Sequence, residues 1–424
     1  MRGALVFTAR RCRFAAAACL IGVGAGACGA LLLLILRTVQ HLAFGYAQGP
    51  FLEGIEAASA WRRVVVTASA GVVAGVGWWL LQRYGRPRVE IRQALRMERP
   101  RMPALTTAVH ALLQVVTVGL GSPLGREVAP REAAALLATG VTRRAGLGPA
   151  QSRVLVACAA GAGLAAVYDV PLGGALFTLE VLLGSWAIGA VAPAVLTAAL
   201  ATLVVRIAVP DGQAYQLPDL PFSGSLLLWA VPAGPLVGAC AYGFSRLMAA
   251  SSARAPRGNA LLVTAPAAFL CLGLLAVPFP QLLGNGKGPA EVAFTAAPSL
   301  ALAAVLLVLR TVVVALCLRG GAYGGLLTPS FANGALLGIV AGRLWELLWP
   351  GTVLGAYVVV AAGAFLAVSQ RMPITAVVLA LEFTGAPREA VLPLLLAVAG
   401  ASGTAALLRG RGARPRRTRG TGRT

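Results

Sequence analysis

Acidic side chains are what this chain has least of. Asp and Glu total 14 in 424 residues against 36 Lys and Arg, and the histidines number two, His41 and His110. No nucleophile–base pairing is visible, so an enzymatic site has little to be built from, and neither an enzyme nor a cofactor is expected. The seven cysteines (Cys12, Cys19, Cys28, Cys158, Cys240, Cys271, Cys317) mostly stand singly in apolar runs without metal-ligand spacing. They read as reduced, small core residues, and no metal is expected. Charged residues are only 12% of the chain and hydrophobic ones 58%, which excludes a soluble enzyme.

What is there is apolar sequence along most of the length. Spanning a ~30 Å hydrocarbon core takes about 20 apolar residues. Candidates are Ala15–Leu36, Val64–Leu81, Leu182–Val205, Leu226–Leu247, Leu261–Val277, Leu300–Leu318 and Val353–Val368. Others, such as Glu132–Gly140 and Pro171–Leu183, are too short to span and fit half-helices that end inside the protein beside an aqueous cavity. A basic N-terminus ahead of an apolar run resembles a signal peptide, but the run continues unbroken to Leu36, so it reads as the first membrane helix.

The net charge of +22 invites a nucleic-acid reading, and its distribution argues against one. Basic residues crowd Arg2–Arg13, the Arg83–Arg101 loop, Ser252–Arg257 and the tail from Arg409, each beside an apolar span. The positive-inside rule makes such segments cytoplasmic. Both termini are then expected inside, the number of crossings even, and the protein multi-pass in a bacterial inner membrane. Residues 409–424 read as a solvated basic tail or one touching anionic lipid.

Against this background Glu127 stands out, inside Gly121-Ser-Pro-Leu-Gly-Arg-Glu-Val-Ala-Pro130. An ionisable residue in a membrane segment is by default a functional-site hypothesis. Gly and Pro break the helix and free backbone N–H groups, which at a helix start form an anion site. A carboxylate there either occupies that site or swings out and admits a mobile anion. Gly320-Gly-Ala-Tyr-Gly-Gly-Leu-Leu-Thr-Pro329 is a related break in the second half. Val170-Pro171 to Glu180 matches Met372-Pro373 to Glu382 at an offset of 202, and Pro130 matches Pro329 at 199. Broken helices at corresponding places of two halves point to a midplane ion site. We read 14–208 and 224–408 as the repeats of a single domain spanning the chain.

Taken in order, Gly125-Arg-Glu-Val-Ala-Pro130, Val170-Pro171 to Glu180, Gly324-Gly-Leu-Leu-Thr-Pro329 and Met372-Pro373 to Thr384 resemble the CLC family of chloride channels and chloride/proton exchangers. Tyr84-Gly-Arg-Pro87 and Leu282-Leu-Gly-Asn-Gly286 add weaker support, and the set covers residues 80 to 400. The resemblance implies an all-α polytopic membrane protein of two inverted-topology repeats with many tilted and partial helices. It also implies a homodimer with one anion pathway per subunit. Glu127 would be the gate, with Gly125, Arg126, Gly324, Gly325, Leu326 and Leu327 around the anion; the alternative for Glu127 is a structural carboxylate paired with Arg126 or Arg131. Only the basic tail follows Leu408, so no C-terminal regulatory domain is expected.

Several positions depart from the family's pattern. Val128-Ala129 puts Pro130 one place late, and Leu327 stands where Phe is common. The inner anion site's Gly-Ser-Gly-x-Pro is here Tyr84-Gly85-Arg86-Pro87, with Tyr84 replacing the serine, and no Tyr follows Tyr357 to supply the second hydroxyl, so the ion there would be held by backbone N–H groups such as that of Gly85, by Tyr84 or by Arg86. The coupling glutamate expected after Glu180 is Val181, as in the family's channels, while Glu180 and its mate Glu382 read as structural carboxylates. The implied function is passive or weakly proton-coupled transport of chloride-like anions. The alternatives are a proton-coupled exchanger and, from another class, a membrane protein that binds an anionic lipid or organic substrate.

Overall fold

The computed structural model describes residues 2–209, 215, 223–295, 298–350 and 353–412. The described part is helical throughout, with seventeen α-helices, and the basic stretch 413–424 lies outside it. Among the described residues, eight helices are long and apolar enough to cross a membrane: Arg10–Phe44, Ala60–Tyr84, Pro149–Tyr168, Ile188–Ala208, Gly224–Ala253, Gly258–Leu275, Leu300–Arg319 and Arg388–Gly410.

Two of the expected spans need correction, and two more, Pro149–Tyr168 and Arg388–Gly410, were not among them. The run from Leu182 is not one helix. A π-helical turn closes at Leu183, Gly184 takes a positive φ of 60°, and a new helix begins at Ile188. Val353–Val368 becomes the 17-residue Leu354–Gln370, buried along nearly its whole length, so it is an interior helix about 25 Å long. Pro149–Tyr168 was not foreseen as a span, because its alanines and glycines give it little hydropathy. Those same small residues let it sit in the centre, buried on almost every side.

Close helix packing rests on glycines four apart. Gly22 and Gly26 lie on the Ile188–Ala208 helix, Gly71 and Gly75 on Leu261–Leu275, Gly234 and Gly238 on Val391–Gly412, and Gly334 and Gly338 on Leu354–Gln370. A Cβ at any of these eight would press into the facing helix. In lipid, helices gain little from apolar burial and associate through such close backbone approach.

The two halves are tied by reciprocal caps at an offset of 202. Glu180 accepts hydrogen bonds from Ile374 N (3.1 Å), Thr375 N (2.7 Å) and Thr375 Oγ1 (2.5 Å), at the start of the Pro373–Thr384 helix. Glu382 accepts from Leu172 N (2.9 Å) and Gly173 N (2.6 Å), at the start of Pro171–Phe177. Asp169 and Arg371, just ahead of the two prolines, share left-handed φ values of 58° and 56°. Each glutamate thus supplies acceptors that the other half's helix start lacks. Glu180→Ala or Glu382→Ala should each cost about 1.5–3 kcal/mol, the range for a hydrogen bond to a charged group. The loss is read as a lower Tm of the detergent-solubilised protein. An unchanged Tm would mean that water serves those N–H groups equally well.

Candidate functional site

The two glycine-broken loops meet back to back. Gly121 and Gly321 take φ of 99° and 95°, a region open to glycine, and each ends a helix with the same pair of backbone hydrogen bonds. Four residues on, Gly125 and Gly325 form an antiparallel bridge, each N–H donating to the other's carbonyl at 2.8 Å. The helices Val128–Arg144 and Leu327–Glu346 start from this bridge. The register between halves is therefore 200 here, and the 199 taken from Pro130 and Pro329 is corrected by one, because Pro130 sits a place late.

Glu127 lies at the N-cap of the first of these helices and is 1% exposed. Its Oε1 accepts from Leu327 N at 2.7 Å, a free donor at the start of the opposite helix. Its Oε2 accepts from the Tyr168 hydroxyl at 3.1 Å, which also faces Thr328 Oγ1 at 3.4 Å. The carboxylate's hydrogen bonds thus go to backbone and a phenol. Arg126 instead lies over the Tyr168 ring at 5.2 Å and donates to Val167 O, while Arg131 lies over the Phe177 ring at 4.3 Å. Gly125, Arg126, Glu127, Gly325 and Leu327 are brought together as expected, with Gly324 packed on Leu124 and Leu326 at the second N-cap. A negative oxygen against a helix-start N–H occupies the place an anion would take.

A cavity of about 870 Å³ reaches the Arg126–Tyr168 edge of this cluster. Its wall carries Arg37, Arg126, Arg206 and Lys287 against Asp169 and Glu291, a surplus of positive charge that attracts anions. Arg310, wholly buried beside it, donates to Pro123 O, Leu282 O and Gly284 O, and so braces the Gly121 loop against Leu282–Gly286.

Tyr84-Gly85-Arg86 does not join the cluster. Tyr84 ends the Ala60–Tyr84 helix 73% exposed, with the Arg83 guanidinium 5.7 Å from its ring, so it does not stand in for a buried serine hydroxyl. Arg86 gives its backbone N–H to Thr106 Oγ1. Glu180 has both carboxylate oxygens committed to the Pro373 helix, and Val181 packs half-buried against the core.

Tyr168 was not anticipated, although it lies two residues before the flagged Val170-Pro171. Nor was a second polar group on the side of the Arg83–Arg101 loop, where Trp78, Arg88, His110 and Glu132 meet Tyr323 of the second broken loop. Trp78 Nε1 donates to His110 Nδ1 at 3.0 Å, and Arg88 stands over the Tyr323 ring at 5.1 Å.

The matches to known proteins fit this architecture. A family model described as "Voltage gated chloride channel" matches residues 70–406. The "Voltage-gated ClC-type chloride channel ClcB" of Salmonella typhimurium is 28% identical over 383 residues, covering 87% of this chain and 90% of that protein. ClcB of Escherichia coli O9:H4 is 30% identical over 345 residues, covering 77% and 80%. Among solved structures, a slow cyanobacterial Cl−/H+ antiporter superposes with a TM-score of 0.82 at 20% identity, covering 94% of this chain and 95% of that one. A CLC-type fluoride/proton antiporter gives 0.74, also at 20% identity, covering 92% and 94%. With its two broken loops joined at Gly125 and Gly325 and the family model spanning most of its length, this integral, multi-pass membrane protein belongs to the CLC family.

Proposed function

We propose that the chain carries chloride-like anions across the membrane through a pathway gated by Glu127, passively or with weak coupling to protons. The observation that carries this reading is the Glu127 carboxylate on the Leu327 N–H. While charged it holds the anion's place; protonated or displaced, it yields that donor to the ion. The positive cavity beyond Arg126 concentrates anions at the gate. The names of the curated relatives, chloride channels, favour chloride. The remaining readings go with it: a homodimer, repeats over 14–208 and 224–408, and a bacterial inner membrane with both termini cytoplasmic. With Tyr84 exposed, the inner anion site is left to backbone N–H groups beside Gly85 and to Arg86. The test is flux through the reconstituted protein with chloride, fluoride and nitrate in turn, pH being recorded at the same time. Absence of anion flux in all three defeats the reading.

Weak coupling follows from Val181. Proton transfer through a low-dielectric interior needs titratable groups or water at short spacing, and Glu180 is occupied as a helix cap. A chloride gradient across proteoliposomes should therefore drive little uphill proton movement, with Val181→Glu restoring some while Glu127 is intact. The second reading, a proton-coupled exchanger, has support from the two solved neighbours, both antiporters. Stoichiometric proton pumping by the wild type would establish it in place of the first.

A further inference from the structure

A second buried carboxylate lies on the gate's own helix. Glu132 is 3% exposed and five residues beyond Glu127, about 7.5 Å of rise towards Arg143 and Arg144. Its Oε1 is 3.8 Å from Arg88 Nη1 and its Oε2 is 3.7 Å from His110 Nε2. Both separations exceed a hydrogen bond. Oε2 has no hydrogen-bond partner, although it is buried. A vacant buried acceptor is destabilising, so this one calls for an explanation.

The neighbours supply it. An indole N–H and a guanidinium N–H only donate, and both aim at His110: Trp78 Nε1 at Nδ1 (3.0 Å) and Arg88 Nη1 at Nε2 (2.5 Å). A neutral imidazole accepts at one nitrogen only, so one of the two donors has no acceptor in the ring, and the Glu132 carboxylate is the acceptor Arg88 can turn to. The carboxylate thus has a guanidinium poised just outside bonding distance, able to close on it when it is charged and relax when it is protonated. The other charged groups near Glu132 are Glu90 and Arg131, with Arg92 beyond Arg131; Tyr323 caps Arg88 from the second half. Contact with water runs through Glu90, 64% exposed, which holds Arg88 Nη2 at 2.6 Å. Gln114, one turn along the His110 helix towards Gly119, has a second buried oxygen without a partner. Unpaired buried polar atoms are where internal water is held.

We propose that Glu132 delivers protons to Glu127 from the side of the Arg83–Arg101 loop, with His110 and Arg88 as positioning residues. The O–H bond breaks at Glu132 and forms at the Glu127 carboxylate through intervening water. The Glu132 carboxylate left behind is stabilised by Arg88 and reloaded from the bath. The relay lies on a different helix from Val181 and sets how often the gate is protonated; each protonation opens the path to many anions, so proton movement per anion stays small, as without a carboxylate at position 181. It rests on Glu127 being the gate, and the experiment separates the two.

Chloride flux is followed in right-side-out and inverted membrane vesicles, with the pH of bath and lumen set independently. Wild-type flux should rise several-fold on acidifying either face. Glu132→Gln should lose the response to the Arg83–Arg101 face alone and keep the other; Glu127→Gln should lose both. A Glu132→Gln protein that answers both faces like wild type, or neither, overturns the relay, as does a wild type blind to the pH of that face. If Glu127→Gln keeps both responses, the gate reading fails instead. Arg88→Gln leaves the carboxylate in place and removes its positive neighbour, so protonation becomes easier and the midpoint on that face should move to higher pH. An unmoved midpoint counts against the relay even where Glu132→Gln does not accumulate.

Discussion

Glu127→Gln should carry anions fast at neutral pH and at nearly the same rate in acid. If Glu127 is the gate, the wild-type carboxylate on Leu327 N–H keeps the anion out while it is charged, so wild-type flux should be low at neutral pH and depend on pH. Glutamine has the shape of the protonated form and no charge to lose. A hydrogen bond to a charged group is worth about 1.5–3 kcal/mol. At 1.4 kcal/mol per decade, releasing the site should raise neutral-pH flux by about 10- to 100-fold. The measurement is chloride efflux from proteoliposomes across a pH series. A wild-type rate and a wild-type slope would falsify the assignment of Glu127 as the gate.

Gly325→Ala should have an effect of similar size by a different route. A Cβ at Gly325 would occupy the space of the Glu127 carboxyl group, and the bridge to Gly125 leaves the backbone no room to retreat. The carboxylate keeps its charge but is expelled from Leu327 N–H. Flux should therefore be high and flat with pH, as in Glu127→Gln, although the glutamate is present. The double variant Glu127→Ala with Gly325→Ala removes the collision and should behave like Glu127→Ala alone. Should Gly325→Ala retain the wild-type pH response, the carboxylate is not confined by that glycine, and the closed geometry is wrong.

The parts of this arrangement that were legible in the sequence are those written in local chemistry. Pro171 and Pro373, each nine residues before a glutamate, announced the 202-residue correspondence, and the caps made by Glu180 and Glu382 follow it. Glu127 was legible because a lone carboxylate among glycines and prolines is costly in an apolar chain. The register at the gate was misread by one because Pro130 is displaced, and proline is a stronger mark in sequence than the Gly125–Gly325 backbone bridge that sets the true alignment. Tyr168 escaped because its contact with Glu127 is made through space, by a helix whose alanines and glycines give only a weak hydropathy signal. Tyr84 was placed on the ion by alignment with a serine, yet a side chain of that length at a helix end turns outward. His110 and Glu132 lie 22 residues apart on separate helices, and no spacing rule joins them.

The exchange of caps between Glu180 and Glu382 also bears on how the chain reaches its folded state. When the first half emerges, the start of its Pro171 helix has no acceptor until Glu382 is made 209 and 210 residues later. Contacts that distant in sequence form slowly, since the intervening chain must be gathered first. The first half is accordingly an unfinished body that waits in the bilayer for its complement. Co-expressed as separate polypeptides, the halves would each carry the piece that completes the other, much as the two strands of a zipper do.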